Sequence, residues 1–108
     1  MQNMSKKFIK SFDEIKKDGV TIVKFWAKWC GPCNQLDSFL ESQESNLLQK
    51  GINVVFVDVD ESPDLAQSLR IMSVPTTFFF KNGEMAKENP IIGVDTIWIM
   101  ETAERLIK

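Results

Sequence analysis

Histidine and tyrosine are absent from this 108-residue chain, and cysteine occurs only twice. Without histidine, the chain cannot form a Cys-His nucleophile of the protease type. A zinc site requires about four Cys, His or carboxylate ligands. Two cysteines without any histidine therefore argue against a zinc site. The formal net charge is only −2, with lysine and arginine mixed among the acidic residues, which leaves no basic stripe for nucleic acid. We therefore predict that the chain binds neither a metal nor nucleic acid.

Long apolar runs are missing as well. The longest, such as residues 76–80, have the length of a strand and fall far short of a membrane span. Residues 1–12 lack the apolar core of a secretory signal. We expect no membrane partner and a cytoplasmic location, where a lone cysteine pair is more often catalytic or metal-binding than a structural staple. A chain of this length with 44% hydrophobic residues suits a single domain over residues 1–108.

The apolar pattern predicts alternating strands and helices. Strands are expected at residues 7–9, 20–26, 54–59 and 76–81, and from Met85, which follows an Asn82-Gly83 hairpin turn. Helices are expected at residues 11–19, 32–50, 62–69 and from Asp95-Thr96 onward, the last with a core stripe of Thr96, Met100, Ala103 and Ile107. This order predicts an α/β fold with a mixed sheet between helices.

Both cysteines lie between the strand at residues 20–26 and the longest predicted helix, in Trp29-Cys30-Gly31-Pro32-Cys33. Unpaired N–H groups and the dipole at a helix start favour a thiolate on the first cysteine. The second follows by three residues, faces the same side and lies within bonding reach. Gly31 leaves room for a substrate backbone, and Pro32 fits the first helical turn. The motif predicts the making and breaking of disulfides.

The sequence around this motif resembles the thioredoxin family. The resemblance rests on residues 25–33, Val74-Pro75-Thr76, residues 80–83 and Gly93, in the family's order, and it spans nearly the whole chain. It implies the thioredoxin fold, a central mixed, mostly five-stranded sheet flanked by four helices. It also implies a monomeric protein disulfide reductase without a bound cofactor. Thioredoxin reductase would recharge the Cys30–Cys33 disulfide using NADPH, and disulfide-containing proteins would be the substrates.

The resemblance implies roles for particular residues. Cys30 would be the exposed nucleophile, and Cys33, more buried, would resolve the mixed disulfide. Val74-Pro75 would be a cis peptide bond beside the dithiol, although the sequence alone favours trans. The backbone of Val74 would then pair with an extended substrate segment. The implied apolar rim for substrate docking consists of Trp29, Gly31, Pro32, Val59, Val74, Pro75 and Gly93.

The chain departs from the family pattern below the dithiol. Lys24 occupies the position of the family's buried aspartate, and Phe56 that of the lysine which accompanies it, so Cys33 lacks the usual general base. Three interpretations of Lys24 stay open. A charged ammonium would favour thiolates by Coulomb attraction, a buried neutral amine would act as a base, and an ammonium reaching the surface would have no catalytic part.

Two other functions are compatible with the same residues. A redox-dependent adaptor would hold one client on the apolar rim without turnover. A glutaredoxin-like reductase would couple to glutathione instead of thioredoxin reductase, but the Gly31-Pro32 spacer and Trp29 argue against it.

Overall fold

A computed structural model describes residues 7–107 and shows a mixed five-stranded sheet with helices on both faces. The strands are β1 (Val20–Trp26), β2 (Ile52–Asp58), β3 (Thr76–Lys81), β4 (Glu84–Met85) and β5 (Ile91–Ile92). The helices are α1 (Gly31–Ser42), α2 (Glu44–Gln49), α3 (Pro63–Ser68) and α4 (Thr96–Leu106), preceded by a 3₁₀ helix at Phe12–Glu14. The sequence predicts that residues 1–12 are not a secretory signal. Residues 1–6 of that segment lie outside the described residues. Between residues 7 and 107, no helix is both long and apolar enough to cross a membrane.

Strand β1 lies in the middle of the sheet and supports the functional site. It runs parallel to β2 on one side and antiparallel to β3 on the other, while β4 and β5 each pair antiparallel with β3. Its first six residues are buried, which fits a β-branched and aromatic strand covered on both faces. The expected mixed sheet and the strands at residues 20–26 and 76–81 are confirmed.

Hydrophobic side chains pack on both faces of the sheet and form two separate cores. The first joins β1, β2 and β3 to α1, α2 and α4, through residues such as Ile22, Leu36, Leu40, Phe79 and Ile99. The second lies on the opposite face and includes Ile9, Val23, Phe25, Val57 and Phe78, with Leu65 and Ala66 of α3 packed against it. Successive β1 side chains point alternately into these cores, so Lys24 falls on the face covered by α1.

The predicted first strand and first helix are shorter than expected. Residues 7–9 make one parallel bridge, Phe8 to Phe56, with a 2.9 Å hydrogen bond from Ile9 N to Phe56 O. The Ser11 capping box is present, but it begins a 3₁₀ helix that ends at Glu14 and does not continue to Gly19. A cap satisfies the first N–H groups of a helix but does not supply the apolar face that stabilises further turns.

The single helix predicted at residues 32–50 is wrong, because the structure divides it into α1 and α2. Gln43 separates them with φ −103° and ψ 4°, and its N–H donates to Leu40 O at 3.1 Å, a tighter closure than in an α-helix. Next to it, the Ser42 hydroxyl donates to Phe39 O at 2.6 Å. Such local side-chain bonds compete with helix continuation. Residues 7–107 thus contain four α-helices, the expected number, but the predicted first helix is not among them and the predicted second helix forms two.

Beyond the Asn82-Gly83 turn, the last strand is split into β4 and β5. The Asn89 side chain lies between them and takes the place of a strand, because Oδ1 accepts from Phe79 N at 2.6 Å and Nδ2 donates to Phe79 O at 3.0 Å. The Asn89-Pro90 peptide bond is cis. The core stripe predicted for α4 is confirmed at Ala103, which is buried, and at Met100, which is half-buried and packs against the first core. It is wrong at Ile107, which is exposed, and it missed the buried Ile99 and Thr102.

Candidate functional site

The two cysteines lie just beyond the end of β1, where the chain enters α1. Cys30 is the N-cap of α1, and its Sγ accepts a hydrogen bond from Cys33 N at 3.1 Å. Pro32 occupies the first turn, where its missing N–H costs no helical hydrogen bond. Cys30 and Cys33 form a disulfide with a Cα–Cα distance of 5.3 Å. The predicted strand-to-helix placement is therefore confirmed.

The cysteines differ in accessibility in the predicted order, but less than expected. Cys33 is fully buried, and Cys30 is only 4% exposed. The expectation of an exposed Cys30 thus needs correction for the disulfide form, which presents only an edge of this residue. Its neighbours explain the burial, because Cys30 packs in a small cluster with Ala27, Cys33 and Val74. A substrate sulfur must approach through the narrow opening that remains.

The segment around Pro75 covers one side of the disulfide. The Val74-Pro75 bond is cis, as the resemblance implied. The carbonyl oxygen of Val74 lies 3.6 Å from Cys30 Sγ, and Gly93 N donates to Pro75 O at 2.9 Å. Gly93 has a φ of 92°, in the region that favours glycine. Val74 thus lies next to Cys30 Sγ, and the Gly93 segment is joined to the Val74-Pro75 segment by this backbone hydrogen bond.

Trp29 forms the most exposed part of the expected apolar rim. Its side chain is 70% exposed, and its indole N–H donates to Asp60 Oδ2 at 3.0 Å. Gly31 and Pro32 are also exposed, Val59, Val74 and Gly93 are half-buried, and Pro75 is buried. A shallow depression of about 160 Å³ lies beside this rim, lined by Trp29, Val59, Ala66, Ile71, Met72, Ser73 and Val74.

Sequence reasoning missed Met72 as a component of this surface. Its side chain is 92% exposed and lines the same depression as Trp29. Methionine is flexible and polarisable, so it can adapt to apolar groups of different shape. Its position directly before Ser73-Val74-Pro75 was the available signal. The apolar surface beside the disulfide is therefore larger than the predicted rim.

Lys24 is fully buried beneath the disulfide, so the interpretation in which its ammonium reaches the surface is wrong. Its Nζ donates to Cys33 O at 2.8 Å and forms an ion pair with the Asp37 carboxylate on α1. The ammonium also lies 5.5 Å from the centroid of the Phe56 ring. A carboxylate in contact favours the ammonium over the neutral amine. Lys24 is therefore one half of a buried ion pair.

Asp37 is the second residue that sequence reasoning missed. Its side chain is 10% exposed, and it follows Cys33 by four residues on the buried face of α1. Helical spacing carried the signal, because Cys33, Asp37 and Leu40 recur on one side, and an acidic residue on a buried face needs a partner. Comparison with the family pattern directs attention to Lys24 and Phe56 and not to this helix position.

Within residues 7–107, no group of three His, Cys, Asp or Glu side chains is arranged to hold a metal ion. The groups at the site that can exchange electrons are the two cysteine sulfurs. An apolar surface and the Val74 carbonyl flank them, and charges lie behind Cys33. The arrangement is suited to exchange with a disulfide carried on an extended polypeptide.

The sequence of the chain is similar to thioredoxins. The family model described as Thioredoxin matches residues 3–98. Thioredoxin from Staphylococcus saprophyticus is 42% identical over 74 residues, which cover 68% of this chain and 70% of that protein. Thioredoxin from Malassezia sympodialis is 36% identical over 91 residues, covering 81% of this chain and 85% of that protein.

Solved structures give the same result for the fold. The oxidised form of mitochondrial thioredoxin 3 from Saccharomyces cerevisiae superposes with a TM-score of 0.83 at 27% identity, covering 94% of this chain and 96% of that one. The Malassezia sympodialis thioredoxin superposes with a TM-score of 0.79 at 30% identity, covering 96% and 92%. The five-stranded sheet and the four helices described for residues 7–107 thus match the fold of solved thioredoxins.

Proposed function

Because this chain belongs to the thioredoxin family and is a protein disulfide oxidoreductase, we propose that Cys30 is its nucleophile and Cys33 its resolving thiol. The observation that carries this assignment is the position of Cys30 at the N-cap of α1, where Cys33 N donates to its sulfur at 3.1 Å. A backbone N–H donor and the positive end of the helix stabilise a thiolate at that atom. Cys33 is fully buried and forms its disulfide with Cys30.

Disulfide reduction then proceeds in two exchanges. The Cys30 thiolate attacks one sulfur of the substrate disulfide, whose S–S bond breaks, and the other substrate sulfur leaves as a thiolate that takes up a proton. Next, Cys33 loses its thiol proton and attacks Cys30 Sγ, which breaks the mixed disulfide and releases the second substrate thiol. Two electrons and two protons pass from the dithiol to the substrate, and the Cys30–Cys33 disulfide remains. The family uses this disulfide and no prosthetic cofactor.

Substrate binding is proposed for the apolar rim around the disulfide, with Trp29, Val59, Val74, Pro75 and Gly93 in contact with the substrate segment. Support comes from the exposure of Trp29 and from the Val74 carbonyl, 3.6 Å from Cys30 Sγ. An extended segment that pairs with the backbone at Val74 brings its cysteine to the opening above Cys30. Gly31 and Pro32, both exposed, leave this approach free of bulky side chains.

Partners of the family in general are thioredoxin reductase and proteins with disulfides. For this chain, we propose electron transport from NADPH through a flavin-dependent reductase to such substrates. We also propose that residues 1–108 act as one domain, as a monomer and in the cytoplasm. A length of 108 residues with 44% hydrophobic content supports the proposal of one domain.

Reduction of insulin disulfides by dithiothreitol tests the proposed roles. We expect catalytic amounts of the chain to accelerate the reaction, Cys30→Ser to abolish the acceleration, and Cys33→Ser to accumulate a mixed disulfide with insulin. Serine is a good N-cap, so the Cys30→Ser variant keeps α1 intact. Acceleration by Cys30→Ser, or a mixed disulfide formed through Cys33 in that variant, would overturn the assignment.

A further inference from the structure

Two opposite charges lie behind the disulfide, and neither group forms or breaks a bond in the two exchanges described above. Lys24 is fully buried, and the Asp37 side chain is only 10% exposed. Removing a single charge from water costs several kcal/mol, so each of these groups depends on the other to remain ionised in place. Hydrophobic residues of the first core surround them, including Leu36, Leu40 and Phe56. Because burying this pair carries a desolvation penalty, a function that the two charges perform would account for its presence.

Both charges are adjacent to Cys33 in particular. The Lys24 ammonium donates to the Cys33 carbonyl oxygen at 2.8 Å. Asp37 lies one helical turn after Cys33, so the two side chains share the buried face of α1. Cys30 lies on the other side of Cys33, at the open end of the helix. The ion pair is therefore placed behind the resolving cysteine, away from the substrate.

We propose that Lys24 and Asp37 are positioning residues that set the ionisation of the Cys33 thiol through opposing electric fields. The Lys24 ammonium stabilises the Cys33 thiolate, and the Asp37 carboxylate destabilises it. Fields of this kind act strongly in a buried site, since water and salt do not screen them. Resolution of the mixed disulfide requires Cys33 to lose its proton, so the balance of this pair controls that step.

The proposal rests on the resolving role of Cys33 and makes a prediction that a purely structural role does not. If the pair only holds α1 against β1, Lys24→Met and Asp37→Asn destabilise the fold and leave Cys33 titration alone. If the pair acts through its charges, Lys24→Met leaves the Asp37 carboxylate uncompensated and raises the pH at which Cys33 ionises. Asp37→Asn removes the carboxylate that compensates the Lys24 ammonium, so it lowers the pH at which Cys33 ionises. The two variants thus shift the titration in opposite directions.

The experiment uses the Cys30→Ser background, in which Cys33 is the only cysteine of the chain. Thiolate absorbance is titrated for this protein and for the added changes Lys24→Met, Asp37→Asn and both together. We expect shifts of about one pH unit or more in opposite directions for the two single changes. The combined variant is expected to lie between them. Shifts in the same direction, or none in either variant, would overturn the proposal.

A second measurement needs no substitution and therefore does not depend on variants that fold. Coupled ionisations are reciprocal, so the ¹³C resonance of the Asp37 carboxyl in the reduced chain must respond where Cys33 titrates. In the oxidised chain no thiol exists, and this response is expected to vanish. An identical Asp37 pH profile in the two forms would contradict the proposal. Neither measurement needs catalytic turnover. The insulin assay tests the proposed roles of Cys30 and Cys33, and the two titrations test this inference, so the failure of one can be distinguished from the failure of the other.

Discussion

Trp29 is a residue whose proposed role is in substrate binding and whose contribution to the core is small. A large apolar side chain that is 70% exposed gains little from folding, but its indole N–H donates to Asp60 at 3.0 Å and so fixes the ring beside the disulfide. Ordering the ring before binding lowers the entropy lost when a substrate docks. Its effect is therefore expected on association and not on folding.

We expect Trp29→Ala to raise KM for a protein disulfide about 3–10-fold, because exposed aromatic anchors typically contribute on the order of 1 kcal/mol to binding. The control is Trp98→Ala on α4, where a tryptophan of comparable exposure, 55%, lies outside the proposed rim. Steady-state insulin reduction measures both variants. Equal changes in KM for the two tryptophans would exclude a specific docking role for Trp29.

Gly19 and Gly51 provide a second matched pair of single residues, since they directly precede the neighbouring strands β1 and β2. Both have positive φ values, 81° and 79°, but a Cβ at Gly19 would lie 2.8 Å from the Gly51 carbonyl oxygen, whereas one at Gly51 meets nothing within 4 Å. Alanine at Gly51 is expected to cost about 1 kcal/mol of unfolding free energy from conformation alone. Gly19→Ala is expected to cost about 1–3 kcal/mol more. Urea denaturation compares them, and similar losses would refute the clash.

Between elements, the Lys24–Asp37 ion pair joins α1 to β1. Leaving one buried charge alone is expected to cost about 3–5 kcal/mol, so Lys24→Met and Asp37→Leu are each strongly destabilising. The double variant is expected to recover most of the loss, because no charge then remains to be buried. Urea denaturation of the four proteins gives the coupling energy. Additive losses would show that the two side chains do not compensate each other.

The chain offers an exposed ion pair as the control for that prediction. Lys50 and Glu104 lie 2.5 Å apart, with side chains 43% and 44% exposed. Solvent screens such a pair, so Lys50→Met is expected to change the unfolding free energy by less than about 1 kcal/mol. A loss as large as that of Lys24→Met would mean that burial is not the reason for the difference.

The sequence predicted the elements that have strong local patterns. It missed the element boundaries at which side-chain hydrogen bonds compete with the backbone hydrogen bonds of a helix or strand. Runs of β-branched and aromatic residues predicted the central strands β1 and β3. The position of the cysteine motif followed from the predicted start of a helix. The break at Gln43 depends on local hydrogen bonds around Ser42, which outweigh helix propensity there. The division of β4 from β5 depends on the Asn89 side chain bonding both backbone groups of Phe79. A side chain that replaces a strand in this way leaves no periodic hydrophobic pattern in the sequence.

The ion pair shows a different limit. The sequence identified Lys24 as an unusual residue beneath the dithiol, but not its partner, because Lys24 and Asp37 lie on different elements, 13 residues apart. Only the packing of α1 on β1 brings them together. A periodicity reading finds Asp37 on the buried face, and a residue-by-residue comparison finds Lys24, but neither connects the two.

For the molecule as a whole, the redox state is expected to change stability. The Cys30–Cys33 disulfide spans a sequence separation of 3, and closing so short a loop in the unfolded chain is worth roughly 2 kcal/mol. We expect the oxidised chain to be more stable than the dithiol form by about this amount. Urea denaturation with and without dithiothreitol measures it, with the Cys30→Ser variant as a control that dithiothreitol leaves unchanged. A more stable dithiol form would contradict this expectation.

The charge pair between β1 and α1 also has an evolutionary consequence. Lys24 and Asp37 each depend on the other, so a lineage that exchanged one without the other would pass through a less stable protein, a case of reciprocal epistasis. Recombination with a relative whose buried charges are arranged differently carries the same risk when the crossover falls between these two positions. Viable chimeras are therefore expected to inherit β1 and α1 from one parent, which makes this strand and helix a single heritable unit.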